Sequence, residues 1–372
     1  MTNTNLFALY VHYGHYGLFR NAGRQNLQAL SNTNFDNLDG STALHLAVSN
    51  RKTEIVTLLI DRGIDINLPN NDGSTALHNA ALRGQTEIVR LLVDHSININ
   101  LQNEDGSTAL HLAVSKGQTE IVTLLIDRGI DIDLRKNNGS TALHTAARNE
   151  QTEIIRLLMD HGININLQNE SGSSALHEAA RKGETEIARL LIDLCVNINL
   201  QNKDGSTALH FAVSNGQTEI VTLLIDRGID IHLPKNDGST ALHNASWRGQ
   251  TEIVRLLVDR GININLQTED GSTALHLAVS NGQTEIVTLL IDRGIDIHLP
   301  KNDGSTALHN AAWRGQIEIF RLLIDHGINI NLQNEDGNTA LHNAAWSGRT
   351  EIVRFLIDHG ININLQNEVF DE

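Results

Sequence analysis

The chain has 372 residues, 40% of them hydrophobic, with one cysteine and a formal net charge of −16. A single cysteine excludes an intramolecular disulfide framework and fits a reducing, cytoplasmic compartment. The acidic balance argues against nucleic acid, which favours a basic face, and no run reaches the ~18 apolar residues of a membrane span.

Residues 1–38 carry no basic residue before Arg20, and their short apolar run is interrupted by His12, so no signal peptide is read there. Phe7, Tyr10, Tyr13, Tyr16 and Phe19 recur at intervals of three, and Asn32-Thr33-Asn34-Phe35 resembles the end of the units that follow. The segment is read as a degenerate capping repeat over the first full unit, because the terminal units of a stacked array need a cover.

From Asp39 onward the peptide Asp-Gly-Ser-Thr-Ala-Leu-His returns, with small variations, every 33 residues. Its His stands at 45, 78, 111, 144, 177, 210, 243, 276, 309 and 342. The ten copies are 39–71, 72–104, 105–137, 138–170, 171–203, 204–236, 237–269, 270–302, 303–335 and 336–368, followed by a tail at 369–372. Positions are numbered 1 to 33 within a copy, starting from the Asp. Thr at position 4 caps a first helix. Gly at 13 separates it from a second helix, Glu-Ile-Val-x-Leu-Leu, whose apolar residues form one stripe. Gly at 25 closes that helix. Ile-Asn-Ile-Asn-Leu then alternates as an extended hairpin finger should. One copy cannot bury its own stripe, so its neighbours must cover it.

These motifs resemble the ankyrin repeat over about nine tenths of the chain. Gly at 2, Thr-x-Leu-His at 4–7, Gly at 13, Glu-Ile-Val-x-Leu-Leu at 16–21, Gly at 25 and Asn at 29 carry the resemblance. Ala replaces the family's usual Pro at position 5 in every copy, from Ala43 to Ala340. Ala forgoes the restraint on φ but has high helix propensity, so the exchange costs little. The resemblance implies an all-α ankyrin-repeat solenoid, with a helix-turn-helix and a β-hairpin finger per repeat, built as a curved elongated rod. The copies alternate between two types in the order ABABB-ABABB, which reads as a duplicated five-repeat block. Arg51 and Glu150 replace Gly at 13, Ser96 and Cys195 replace Gly at 25, and copies 4 and 5 begin with Asn138 and Ser171. A non-glycine residue at positive φ costs about 1 kcal/mol.

The 18 histidines form no metal site on this reading. Ten are the position-7 residue, and equivalent residues on adjacent rungs stand about 10 Å apart, whereas zinc ligands converge to about 2 Å. No nucleophile–base pair stands out, Cys195 is isolated, and no catalytic residue, cofactor or metal is assigned. Glu87 with Arg90 and Glu252 with Arg255 are spaced as i,i+3 pairs on an exposed helix face.

Function is therefore sought where the copies differ. Position 11 reads Ser, Leu82, Ser, Arg148, Arg181, Ser, Trp247, Ser, Trp313 and Trp346 along the copies, and position 12 includes Arg83, Lys182, Arg248 and Arg314. In the ankyrin family this end of the first helix lines the concave binding face with the finger tips. All three tryptophans fall at position 11, and Trp and Arg are enriched at binding hot spots. The expected role is a non-enzymatic, monomeric scaffold for a protein partner, with Trp247, Arg248, Trp313, Arg314, Trp346, Leu82, Arg83, Arg181 and Lys182 as binding residues. The acidic chain suggests a basic partner. The rival roles are a structural spacer or tether and an adaptor that delivers clients to another enzyme. By the family resemblance alone, near-identical repeats also suit a microbial effector reaching a host cell by a non-classical route. In ankyrin proteins the finger Asn is a substrate of asparaginyl hydroxylases that favour a Leu eight residues earlier. Asn100, Asn166 and Asn265 meet that spacing with Leu92, Leu158 and Leu257.

The chain stops just after the finger of copy 10, without a polar capping repeat. Ten stacked rungs give a rod on the order of 100 Å long. Small-angle scattering should then return a radius of gyration well above the ~21 Å of a compact globule of this length. A value near ~21 Å contradicts the stacked array.

Overall fold

The computed structural model describes residues 39–194 and 196–367. The aromatic segment before Asp39, Cys195 and the tail lie outside the described residues. Each copy contributes two helices, a first of seven or eight residues and a second of nine, from Ala43–Ser49 and Thr53–Asp61 to Ala340–Trp346 and Thr350–Asp358. Two compact units appear. One runs to Ala179 and includes Asp193–Val196; the other holds Ala180–Ile192 and the chain from Asn197. Within each unit, first helices pack on first helices and second helices on second helices.

The first helix begins where Thr and His lock together. The Thr42 N–H donates to Nδ1 of His45 at 3.2 Å, and the Thr42 hydroxyl reaches the same nitrogen at 2.8 Å. Ser174 does the same with His177, at 3.1 and 2.8 Å. This satisfies a backbone donor that the first turn leaves without a helical partner. Ala at position 5 follows immediately and is fully buried at Ala76 and Ala142.

The second helix starts without a local side-chain cap at Gln85, Gln151 or Gln250. These glutamines reach back one rung instead. Their Nε2 groups donate to the carbonyls of Val48, Val114 and Val213 at 2.8, 2.6 and 2.8 Å. They tie the end of one first helix to the start of the next copy's second helix. The apolar stripe is dry, with Ile88, Val89 and Leu92 at most 2% exposed.

The fingers differ from the expected hairpins. No residue among those described is in a strand. Neighbouring turns are joined by single backbone bonds, such as Asn71 N to Asp39 O at 2.8 Å and Glu104 N to Asp72 O at 2.9 Å. The asparagines explain the difference. Asn67 Oδ1 accepts from Asn98 N at 2.8 Å, and Asn98 Oδ1 accepts from Asn100 N at 3.2 Å. Side-chain oxygens take up the backbone donors that a strand ladder would use.

Positive φ falls where the glycine pattern placed it. Arg51, Ser96 and Glu150 sit at +55°, +63° and +58°. Gly73 at position 2 has a second constraint, since a Cβ there would lie 2.8 Å from the Glu104 nitrogen of the next turn. The exposed charges depart from expectation. No ion pair joins Glu87 to Arg90 or Glu252 to Arg255; Arg321 instead reaches Glu351 on the next rung at 3.3 Å. In copy 9 stacking brings Glu351 of the next rung within reach of the Arg321 guanidinium, whereas Arg90 and Arg255 form no ion pair among the described residues.

Relief of backbone strain at Glu150 is measurable. Glu150→Gly should raise unfolding stability by about 1 kcal/mol, read as a higher urea midpoint. Glu150→Ala, which keeps the Cβ, should not.

Candidate protein-binding surface

The position-7 histidines are structural. His45, His78 and His144 place Nε2 2.9 Å from the carbonyls of Ser74, Ser107 and Ser173, each on the following rung. Nδ1 accepts from the Thr N–H, so Nε2 carries the proton and donates, and the ring is neutral. Burial pushes His45, His78, His144, His243 and His309 below the usual imidazole value, against the opposing pull of backbone carbonyls. For His111 and His276, burial together with Lys136 and Lys301 lowers the value to about 4. No group of three or more His, Cys, Asp or Glu among the described residues could hold a metal ion.

Asn100 and Asn265 also have structural partners. Their Oδ1 atoms each accept from the next rung, from Asp131 N and Asp296 N at 2.9 Å. Asn100, Asn166 and Asn265 are exposed, whereas Leu92, Leu158 and Leu257 are fully buried. An enzyme that reads Leu and Asn together reaches both only when the second helix has opened.

Position 11 lies at the end of the first helix, and three contacts show what it faces. Arg148 Nε donates to Glu178 Oε2 at 3.0 Å. The Arg181 guanidinium lies over the Phe211 ring at 5.7 Å from its centre. Asn310 Nδ2 reaches Ser280 Oγ at 3.4 Å. Each partner is position 8 of the following copy, 30 residues on in sequence. By the same register Trp247 is set opposite Leu277, Trp313 opposite Asn343 and Leu82 opposite Leu112. The position-8 partner was not singled out from the sequence, although the matched chemistry of the pairs is visible there at a lag of 30 residues.

This register divides the candidate residues. Arg181 is engaged by Phe211, and Arg148 by Glu178, which is only 1% exposed. Leu82, Trp247 and Trp313 are partly covered, at 36%, 47% and 46% exposed, whereas Trp346 is 83% exposed. Arg83, Lys182, Arg248 and Arg314 are exposed. Arg349, at position 14 where neighbouring copies carry Gln, donates from Nε to the Trp313 carbonyl at 3.2 Å. It adds a cation beside Trp313 that position 12 alone did not reveal. Trp247, Trp313 and Trp346, with Arg248, Arg314 and Arg349, all lie in the second compact unit.

A family model of ankyrin repeats matches residues 15–103, 96–169, 163–235, 229–301 and 296–367. The chain belongs to the ankyrin-repeat family. Ankyrin repeats are generally protein–protein interaction modules. The match begins at residue 15, ahead of the first full copy. No curated protein matches the chain. No described helix is long and apolar enough to cross a membrane.

The buried imidazoles predict acid sensitivity. Each has a folded value below the unfolded ~6.5, so its neutral form stabilises the fold. That contribution is complete above pH ~6.5. It is lost as pH falls toward the folded value, about 4 for His111 and His276. Each such histidine costs up to about 1.4 kcal/mol per pH unit inside that window. Asp72, Asp237 and Asp270 titrate lower: burial opposes the shift, but hydrogen bonds from Ser74, Ser239, and Thr268 with Ser272 hold them below the ordinary carboxylate value. They therefore act only at lower pH. Urea midpoints should fall steadily from pH 6.5 to 5, and a flat profile over that range contradicts the buried neutral ladder.

Proposed function

We propose that this chain is a non-enzymatic ankyrin scaffold that binds a protein partner through its concave face. Trp247, Trp313 and Trp346 are the anchors, with Arg248 and Arg314 beside them. One observation carries the reading: every tryptophan of the protein is an exposed or half-exposed residue at the same position of the first helix. An indole left in water adds little to folding, and contiguous exposed apolar surface marks an interaction site. Leu82 with Arg83, and Lys182 beside Arg181, extend the same row as secondary contacts. The scaffold acts as a cytoplasmic monomer, and delivery of a bound client to another enzyme is one use of such a surface.

The three tryptophans test the reading differently. Trp313 is half covered, so Trp313→Ala removes roughly 100 Å² of apolar contact and costs on the order of 2 kcal/mol of stability. Trp346 is nearly bare, so Trp346→Ala should leave the unfolding midpoint unchanged. It should weaken capture of a partner from cell lysate by on the order of 2 kcal/mol, the hot-spot range. A Trp346→Ala protein that unfolds earlier and captures the same partner at full strength places the indole among packing elements. Partner capture unaffected in the triple Trp→Ala variant leaves the spacer or tether role.

A further inference from the structure

The row that presents the tryptophans has a charge opposite to that of the chain. Lys and Arg number 28 against 44 Asp and Glu overall. Yet positions 11 to 14 of copies 7 to 10 read Trp-Arg-Gly-Gln, Ser-Asn-Gly-Gln, Trp-Arg-Gly-Gln and Trp-Ser-Gly-Arg. They hold three arginines and no carboxylate. Three arginines of this unit are taken up by acids on an adjacent rung: Arg260 meets Asp226 at 2.8 Å, Arg293 meets Asp259, and Arg321 meets Glu351, whereas Arg255 and Arg354, on second helices, form no ion pair among the described residues. Among the described residues, Arg248 and Arg314 form no ion pair. Arg349 spends one N–H on the Trp313 carbonyl, and its stem packs against Gly315, where a Cβ would meet its Cδ at 2.8 Å. Those contacts hold the Arg349 side chain against the backbone at the end of the helix that carries Trp313.

Guanidinium groups without an ion pair, next in the chain to exposed or half-exposed tryptophans, match carboxylates next to apolar side chains. Resting on the binding reading above, we propose that copies 7 to 10 take an acidic, extended peptide segment of a protein partner, its apolar side chains on the tryptophans and its carboxylates on Arg248, Arg314 and Arg349. This replaces the basic partner that net charge suggests. Charges farther away than about 8–10 Å are largely screened at physiological salt, so the cations in contact decide the sign. Spacing follows from geometry. Rungs lie about 8–10 Å apart and an extended chain advances about 3.3 Å per residue, so one rung takes about three residues. Trp313 and Trp346 are one rung apart, and Trp247 and Trp313 are two. The segment therefore carries apolar anchors near i, i+6 and i+9 with Asp or Glu between them.

The full chain can be titrated with fluorescein-labelled synthetic peptides bearing Leu at i, i+6 and i+9 in a Glu/Ser background. The same peptides with Lys for Glu, and a thymidine oligonucleotide, serve as comparisons. Because the chain has three tryptophans and all belong to this row, intrinsic tryptophan emission reports occupancy of the row directly. The Glu peptide should bind with a shift in that emission, at least tenfold tighter than the Lys peptide. A double Arg248→Glu, Arg314→Glu variant, altered only at exposed positions, should reverse the preference. Equal binding of Glu and Lys peptides, tighter binding of the oligonucleotide, no binding of either peptide, or an unchanged preference in the double variant overturns the proposal. If binding depends on the tryptophans but not on charge, the acidic-segment inference alone falls. If the triple Trp→Ala variant binds like the parent, the binding reading falls with it.

Discussion

The bond from a buried imidazole to a carbonyl of the next rung is the constraint on which the rest of the array depends. In copy after copy one ring closes the turn, caps the first helix through Thr and holds the following turn in place. His78 joins Thr75 to Ser107 in this way. The ring does this only when neutral and only with its proton on Nε2. A group that is charged half the time near pH 6.5 is thereby fixed in one form, and the energy that fixes it is the same burial that excludes water from the stripe beside it. Where the geometry loosens, the cost shows. Nε2 of His111 and of His276 is buried without a well-aligned acceptor, and burial, with Lys136 and Lys301 facing them, drives these two rings down to about 4.

The architecture was legible because a repeated unit states each local rule ten times. Thr-x-x-His, Gly at 13 and the Ile-Val-Leu stripe each have a physical reason that acts within a few residues, and each appears as read. Arg51, Ser96 and Glu150 adopt positive φ because the neighbouring helices impose the turn whatever residue occupies it. The misread features involve partners a whole rung away. The alternating Ile-Asn-Ile-Asn fingers looked like strands, but Asn67 and Asn100 give their side-chain oxygens to the next finger's backbone. Arg321 passed over its own helix for Glu351. Local spacing does not announce such choices, because the competing partner is about 30 residues on.

The same lag explains why the variable row was only half legible. Variation at position 11 could be read as freedom left for a partner. Part of it is answered within the molecule: Arg148 meets Glu178, and Arg181 meets Phe211. A buried carboxylate with its guanidinium is specific rather than strongly stabilising, since desolvation offsets most of the attraction. Such pairs make one rung fit its own successor among nearly identical neighbours. What the molecule leaves unanswered is narrower than the row as a whole, and it concentrates in copies 7, 9 and 10.

That concentration separates two scales of electrostatics in one chain. The surplus of acids is spread through the copies, at position 16 of the second helix and position 1 of the turn. The row at the end of the first helix is set by a handful of substitutions at positions 11, 12 and 14; its most exposed members, such as Trp346 and Arg314, exchange at little cost to folding, whereas half-covered Trp313 does not. An array whose stability is approximately a sum of rung and nearest-neighbour terms can change those positions in one copy without disturbing the others. Local charge is then free to oppose net charge. In such a scaffold the partner is better read from the unpaired side chains of a few rungs than from the composition of the whole.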